Sequence, residues 1–135
     1  MASPRPAHLL IVEDDGDLLE VLKFVLEDAG HTVSTAEDGP SALAIARSKK
    51  VDLVLLDIGM ADVSGTEVGR LLRSEPATAH IRIAVHTGLD EATVRAEFAD
   101  YDLFLGKSDD PAELLRGIAS VLGRPRSSET SATRA

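Results

Sequence analysis

The chain has 135 residues, of which 44% are hydrophobic and 3% aromatic, so it is long enough for one globular domain with an aliphatic core. A formal net charge of −9 argues against direct binding to nucleic-acid phosphates. The absence of cysteine excludes disulfides and thiolate metal sites and predicts a cytoplasmic location. No secretory signal is evident, and no apolar stretch approaches the roughly 20 residues that a membrane span needs.

Strand-like and helix-like segments alternate along the first half of the chain. A short apolar run that ends in acids is followed by apolar residues at helical spacing up to Gly30, which predicts a strand and then a helix. An alternating segment predicts a second strand, and Gly39 with Pro40 opens a second helix. The third strand is apolar almost throughout, which is typical of a parallel sheet covered on both faces. The predicted strands are residues 9–13, 32–36 and 52–57, and the second helix is residues 41–48.

The second half continues the alternation. Val68, Leu71 and Leu72 mark a third helix, and a weaker fourth helix over residues 90–99 has few large apolar residues. The fifth helix has the best-marked start, with Asp110 as N-cap and Glu113 completing a capping box. The remaining predictions are strands at residues 81–85 and 102–105, a fifth helix ending at Gly123, a domain over residues 8–123, a flexible start at residues 1–7 and a disordered tail at residues 124–135.

Polar residues follow four of the predicted strands. Strands that alternate with helices imply right-handed crossovers and a mostly parallel sheet, in which ligands bind outside the carboxyl ends of the strands. The residues at those ends are therefore candidates for a common site. They are Glu13, Asp14 and Asp15 after the first strand, Asp57 after the third, His86, Thr87 and Gly88 after the fourth, and Gly106, Lys107 and Ser108 after the fifth.

The acids among these residues indicate a divalent cation. If the first and third strands are neighbours, about 4.8 Å apart, Asp14 and Asp57 lie close together. Two carboxylates roughly 4 Å apart repel by about 4 kcal/mol at an effective dielectric constant near 20, and an unpaired buried charge is costly. A site of oxygen ligands that is open to water suits Mg²⁺.

Each of these residues also has an ordinary structural explanation. Asp14 or Asp15 alone is typical of a helix N-cap, a lone Thr87 of a turn, and a lone Lys107 of a solvated surface charge. His86 is expected to be a surface or packing residue without a functional role. Their order at the ends of four strands favours a shared site over four separate explanations.

The ordered motifs resemble the receiver domain of bacterial two-component response regulators, in particular its chemotaxis-regulator type, over residues 9–122. "LLIVEDD" is similar to the family's first strand and acidic pair, and "DLVLLDIGMADVSG" to its phosphoacceptor strand and loop. "IAVHTG" is similar to its fourth-strand hydroxyl segment and "FLGKS" to its fifth-strand lysine. The resemblance implies an α/β, flavodoxin-like, doubly wound parallel sheet of five strands in the order 2-1-3-4-5, with five helices.

The resemblance implies that Asp57 accepts a phosphoryl group from a histidine kinase or a phosphotransfer protein. Asp14 and Asp57 would then bind Mg²⁺ directly, Glu13 through water, and Gly59 through its main-chain carbonyl. Phosphoryl transfer asks a protein for in-line positioning and for neutralisation of spread negative charge, which agrees with this set of groups. The chain is expected to be a signalling receiver rather than an enzyme with an external substrate.

The same resemblance implies a switch. Thr87 and Lys107 would hold the phosphoryl oxygens, and Phe104 would rotate inward after Thr87 moves. Gly59 and Leu89 would flank the water that hydrolyses the acyl phosphate, and neither has a side chain that can orient it by hydrogen bonding, so these positions are expected to affect the phosphoryl lifetime. A protein target would bind the face formed by the fourth helix, fifth strand and fifth helix, in a stand-alone receiver that is a monomer or weak homodimer and contacts neither nucleic acid nor membrane.

Three positions depart from the family pattern. Ala61 replaces a common proline, Gly88 replaces a small residue such as alanine, and Ser108 follows the lysine in place of proline. The family's Lys–Pro bond is commonly cis, and a non-proline cis bond costs about 2.5–4 kcal/mol. Either the bond is trans and Lys107 sits differently, or strain is tolerated.

Three alternatives remain open from the sequence. A degenerate receiver would keep the fold and act as an adaptor without phosphorylation. The Ala61 and Ser108 departures favour it slightly, and the intact acids, Thr87 and Lys107 count more heavily against it. A flavodoxin-like redox carrier would need a phosphate loop where this chain has "EDDGD". A metal-dependent phosphatase would need a second acid near its nucleophile and a cap domain, and neither is evident.

Overall fold

The computed structural model of the chain describes residues 6–59 and 65–123. Ala61, residues 1–5 of the predicted flexible start and the predicted tail from residue 124 lie outside the described residues. Strands and helices alternate throughout the described chain. The elements are β1 (His8–Val12), α1 (Gly16–Asp28), β2 (Thr32–Ala36), α2 (Gly39–Ser48), β3 (Leu53–Leu56), α3 (Gly65–Ser74), β4 (Arg82–Thr87), α4 (Glu91–Glu97), β5 (Leu103–Gly106) and α5 (Pro111–Leu122).

The five strands form one parallel sheet in the order β2-β1-β3-β4-β5, which confirms the predicted topology. The order reverses between β1 and β3, where Val12 pairs with Leu56. Beyond that pair, the Asp57 amide donates to the Val12 carbonyl at 3.0 Å. The residues that follow β1 and β3 therefore lie side by side at the carboxyl edge of the sheet.

Aliphatic side chains cover both faces of the sheet, as the apolar pattern of the third strand predicts. Alternate residues of each central strand enter one of two core layers, and every residue of β3 is buried. One layer contains Leu10, Val12, Val54, Leu56, Val68, Leu72 and Val94, and the other contains Leu9, Ile11, Leu53, Leu55, Leu19, Leu22, Leu26 and Ile118.

Helix caps agree with the sequence at α5 and correct it at α4. Asp110 and Glu113 form the predicted capping box of α5. The predicted fourth helix over residues 90–99 was too long, because Asp90 is the N-cap and the helix ends at Glu97. Phe98 leaves the helix in an extended conformation and packs its buried ring against α3, so tertiary packing ends the helix early.

No helix among the described residues is long and apolar enough to cross a membrane.

Candidate functional site

Three carboxylates from two adjacent strands meet at the carboxyl edge of the sheet. Glu13, Asp14 and Asp57 each offer one oxygen, and these oxygens all lie within 4.8 Å of one another. Glu13 and Asp57 are buried, whereas Asp14 is exposed. Asp15, the next acid in the chain, is the N-cap of α1 and accepts from the backbone amides of Asp17 and Leu18. The pairing of β1 with β3 therefore brings three acids together. The fourth acid, Asp15, has a structural role as the cap of α1.

Asp57 is held at the end of β3 by partners on two sides. Its Oδ1 accepts a hydrogen bond of 3.0 Å from the Gly59 amide, and its Oδ2 lies 3.4 Å from Lys107 Nζ. A Cβ added at Gly59 would lie 3.7 Å from Asp57 Oδ1, which is ordinary contact distance. A side chain at position 59 would therefore lie directly beside the carboxylate.

Glu13 is almost fully buried and only partly satisfied. Its Oε2 accepts from the Asp15 amide at 3.2 Å and from Lys107 Nζ at 3.3 Å. Its Oε1 lies 3.1 Å from Lys107 Nζ but has no hydrogen-bond donor in suitable geometry among the described residues. Burial, helped by the negative charge of Asp57, raises the pKa of Glu13 against the opposing effects of the Asp15 amide and Lys107.

Lys107 connects the end of β5 to the acids of β1 and β3. Burial alone would lower the pKa of Lys107, but the hydrogen bond to Glu13 and the charge of Asp57 outweigh it, so the pKa is raised. The described residues contain no cis peptide bond, so the Lys107–Ser108 bond is trans. Lys107 nevertheless reaches both buried acids, and the change from proline to Ser108 does not withdraw its ammonium group from the cluster.

Thr87 lies at the end of β4, opposite Gly106 of β5. It is buried, and its hydroxyl oxygen accepts a hydrogen bond of 3.1 Å from the Leu89 amide. Its carbonyl accepts a hydrogen bond of 2.8 Å from the Lys107 amide, which fixes the start of the loop that carries the lysine. Leu89 itself is 46% exposed beside this hydroxyl.

Phe104 lies two residues before the strand end and outside the acid cluster. It pairs with Val85 across the sheet and is half-buried against the core layer that contains Val94 and Phe98. Its ring lies 6.1 Å from that of Tyr101, tilted by 52°. Tyr101 is a residue that the sequence analysis missed. The signal available in the sequence was a tyrosine three residues before Phe104, the predicted switch aromatic.

His86 is buried on β4, in agreement with a packing role. Burial is the main reason that its pKa is lowered, and the nearby charge of Lys107 acts in the same direction. The charges of Asp57 and Asp109 oppose this shift. The neutral imidazole is therefore the favoured form beside the cluster.

The residues of the cluster fit a hard divalent cation. All three acids offer oxygen ligands, and two of them, Glu13 and Asp57, are buried beside the ammonium group of Lys107. Glu13 Oε1 is a buried acceptor with no hydrogen-bond donor in the part of the chain that the structure describes, so a cation or its bound water has a group to satisfy. Exposed Asp14 leaves the cluster open to solvent, as a cation that keeps several waters requires.

Comparison with known proteins identifies the family. The response regulator receiver domain family matches residues 9–119. The chain belongs to this family. Among solved structures, this receiver is similar to the chemotaxis protein CheY4 of Vibrio cholerae, with a TM-score of 0.82 and 27% identity over 87% of this chain and 99% of that one. The response regulator TrrA of Thermotoga maritima, solved in complex with Mg²⁺–BeF, has a TM-score of 0.78 and 30% identity over 85% of this receiver and 98% of TrrA.

Curated relatives of this receiver differ in length. PilH of Pseudomonas aeruginosa is 36% identical over 121 residues, which are 86% of this chain and 98% of PilH. The transcriptional regulatory protein GlrR of Escherichia coli is 32% identical over 121 residues, which are 89% of this chain but 27% of GlrR. The chain thus spans about a quarter of GlrR and nearly the whole of PilH.

Proposed function

We propose that this receiver accepts a phosphoryl group on Asp57 and passes the signal to a protein partner. The observation that carries the proposal is the position of the buried Asp57 carboxylate, within 4.8 Å of the oxygens of Glu13 and Asp14 and 3.4 Å from Lys107 Nζ. A carboxylate that lies beside two further acids and an ammonium group has the groups that charge-neutralised phosphoryl transfer needs.

In the proposed transfer, an Asp57 oxygen attacks the phosphorus of a phosphohistidine. The oxygen–phosphorus bond forms as the phosphorus–nitrogen bond breaks, and the imidazole that leaves takes its proton from solvent. Lys107, already 3.4 Å from Asp57, would follow the negative charge onto the phosphoryl oxygens. Thr87 would shift toward the same group and donate its hydroxyl hydrogen to it, and Leu89, whose amide donates to the hydroxyl oxygen, would follow.

Mg²⁺ is the cofactor that the cluster fits best. Asp14 and Asp57 would bind it directly, Glu13 through water, and Gly59 through its carbonyl. When bound, the ion would supply positive charge that offsets the negative charge of the transferred group. Glu13 holds a water ligand most readily through Oε1, the oxygen that has no hydrogen-bond donor among the described residues. The solved complex of TrrA with Mg²⁺–BeF supports this choice of ion.

A histidine kinase or a phosphotransfer protein is the proposed donor, and the proposed setting is the cytoplasm. The face formed by α4, β5 and α5 is proposed to bind the downstream protein. Thr87 directly precedes the loop to α4, and its carbonyl accepts a hydrogen bond from the amide of Lys107, the residue after β5. A change at Thr87 therefore reaches two elements of that face. Phe104, half-buried on β5, would then move further into the core.

Beryllofluoride binding tests the proposal without a partner protein. Fluorine NMR would follow the bound analogue in the native chain, in Asp57→Asn and in Asp17→Asn, a matched control on the first turn of α1. We expect Mg²⁺-dependent binding to the native chain and to the control, and none to Asp57→Asn. Absence of binding to the native chain would contradict the proposal and favour the degenerate receiver, which binds its partner without phosphorylation.

A further inference from the structure

A hydrogen-bonded triad joins the start of α4 to the segment that enters β5. The hydroxyl of Tyr101 donates to the carboxylate of Glu91, the first residue of α4. Arg95, one turn further along α4, contacts the Tyr101 hydroxyl oxygen at 3.3 Å and Glu91 Oε2 at 3.2 Å. Tyr101 lies two residues before β5, so its phenol bridges two elements of the proposed output face.

The start of α4 has little other anchorage among the described residues. Val94 is the buried residue within the helix, and Phe98 packs where the helix ends. Arg70 donates to the Glu97 carbonyl at 2.6 Å, which also holds the far end. Residues 91–93 are solvent-exposed, and the Tyr101 hydroxyl joins Glu91 to the segment that enters β5.

This triad is close in sequence to Thr87, the proposed phosphoryl-binding residue. Thr87 precedes Glu91 by four residues, and the segment between them contains Leu89, whose amide donates to the Thr87 hydroxyl. Asp90 caps α4 through the Thr93 amide at 2.8 Å. A shift of the Thr87 hydroxyl therefore moves a short, capped segment that ends at the carboxylate bonded to Tyr101.

The ring of Tyr101 completes a second connection. It packs against Phe104 at 6.1 Å, and both rings lie against the core layer that contains Val94 and Phe98. Phe104 has no hydroxyl with which to hold either of its positions. The hydroxyl group that can stabilise one of these positions belongs to Tyr101, three residues earlier.

We infer that Tyr101 is a positioning residue of the switch, which holds the start of α4 through its hydroxyl and Phe104 through its ring in the unphosphorylated chain. The inference rests on the proposed phosphorylation of Asp57. Engagement of Thr87 by the phosphoryl group releases the Tyr101–Glu91 hydrogen bond, and Phe104 and α4 then move together. Loss of the hydroxyl removes a contact of the unphosphorylated arrangement, so Tyr101→Phe binds a phosphoryl analogue more tightly.

The intrinsic fluorescence of the chain reports on the surroundings of the Tyr101 hydroxyl, and so on its hydrogen bond to Glu91. Tyr101 is the sole tyrosine and the chain has no tryptophan, so the emission comes from the phenol in question. Burial and the hydrogen bond to Glu91 raise the pKa of Tyr101 above its usual value of 10.0. We expect Glu91→Gln to change the emission and to lower this pKa without any ligand. Glu27→Gln breaks a comparable pair with Lys23 on α1 and serves as the matched control.

The decisive experiment adds beryllofluoride and Mg²⁺ while both Tyr101 emission and the fluorine NMR signal are recorded. We expect the emission of the native chain to move toward that of Glu91→Gln, in proportion to the bound analogue. We also expect Tyr101→Phe to bind roughly twofold to fivefold more tightly than the native chain, the range for a largely exposed polar contact.

The outcomes separate the inference from the proposed function. Bound analogue with unchanged emission, or equal affinity of Tyr101→Phe and the native chain, would overturn the inference and leave phosphorylation intact. Absence of bound analogue in the native chain would overturn both. Because the emission of the native chain needs no variant, a folding defect in Tyr101→Phe would not prevent the first of these results.

Discussion

Gly65 lies at the start of α3, against the backbone that carries Asp57. A Cβ at this position would lie 2.1 Å from the Asp57 carbonyl oxygen and 2.6 Å from Ile58 Cα. Both distances are far inside the ordinary contact distance of 3.4 Å, and neither backbone atom can rotate away as a side chain could. Gly65→Ala must therefore displace α3 or the end of β3, and we expect it to unfold more easily.

The size of this effect follows from the overlap. Overpacking of a filled site costs about 1–3 kcal/mol, and rigid backbone neighbours put Gly65→Ala at the upper end. At roughly 4 °C per kcal/mol for a domain of this size, the thermal midpoint falls by about 12 °C. Displacement of the Asp57 backbone also weakens beryllofluoride binding.

Gly16→Ala is the matched control, because Gly16 is likewise the first residue of a helix and a Cβ there meets nothing within 4 Å. Neither glycine has a positive φ, so the backbone tolerates alanine at both positions. Urea unfolding followed by circular dichroism would compare the two variants. We expect Gly16→Ala to change the free energy of unfolding by less than about 1 kcal/mol. Equal stabilities of the two variants would refute the reasoning.

Three further predictions follow from single contacts. Lys107→Gln removes an ammonium that repels a cation at the acids, so we expect roughly threefold to tenfold tighter Mg²⁺ binding by calorimetry but weaker beryllofluoride binding. Burial lowers the pKa of His31 below its usual value of 6.5, and its Nδ1 accepts from the Ala7 amide, so protonation opposes folding. The contribution of neutral His31 to the free energy of unfolding should be present above pH 6.5 and should be lost as the pH falls below it. In urea titrations, the free energy of unfolding of His31→Gln should therefore decrease less than that of the native chain between about pH 7.5 and about pH 5.5. Gly59→Asn places a polar group beside Asp57, and Leu89→Glu places one on the residue whose amide donates to Thr87, so we expect each to cause a severalfold change in the decay of the phosphorylated chain, followed by mass spectrometry.

Each of these predictions has a result that would contradict it. Lys107→Gln should differ from Lys49→Gln, an exposed lysine at the end of α2, and matching Mg²⁺ affinities would show that the ammonium does not compete with the ion. Equal pH losses in the native chain and His31→Gln would exclude the histidine as the cause. Unchanged decay in both Gly59→Asn and Leu89→Glu would show that these positions do not control hydrolysis.

The sheet and its carboxyl edge are predictable from the sequence because they depend on local patterns. Continuous apolar character marks β3 as a buried parallel strand, and acids, a hydroxyl and an amine follow the strands in chain order. Parallel strands place all of those ends at one edge. The approach of Asp14 and Asp57 could therefore be expected before the coordinates. The strand order and the place of Glu13 beside them were implied by the resemblance to the receiver family rather than by local patterns.

Side-chain contacts between distant residues could not be predicted in this way. Glu13 and Lys107 are 94 residues apart, and their pairing depends on the direction in which the β5 loop points. Tyr101, which follows the early end of α4 at Glu97, donates back to Glu91 at the start of that helix. Helical spacing alone predicts a longer α4, because the spacing of apolar residues does not reveal that the ring of Phe98 packs against α3.

The mass of the intact chain after incubation with acetyl phosphate and Mg²⁺ tests the central claim most directly. The account predicts the gain of a single phosphoryl group in the native chain, and no gain without Mg²⁺ or in Asp57→Asn. An unchanged native mass, or an equal gain in Asp57→Asn, would contradict the assignment of Asp57 as the phosphoryl acceptor.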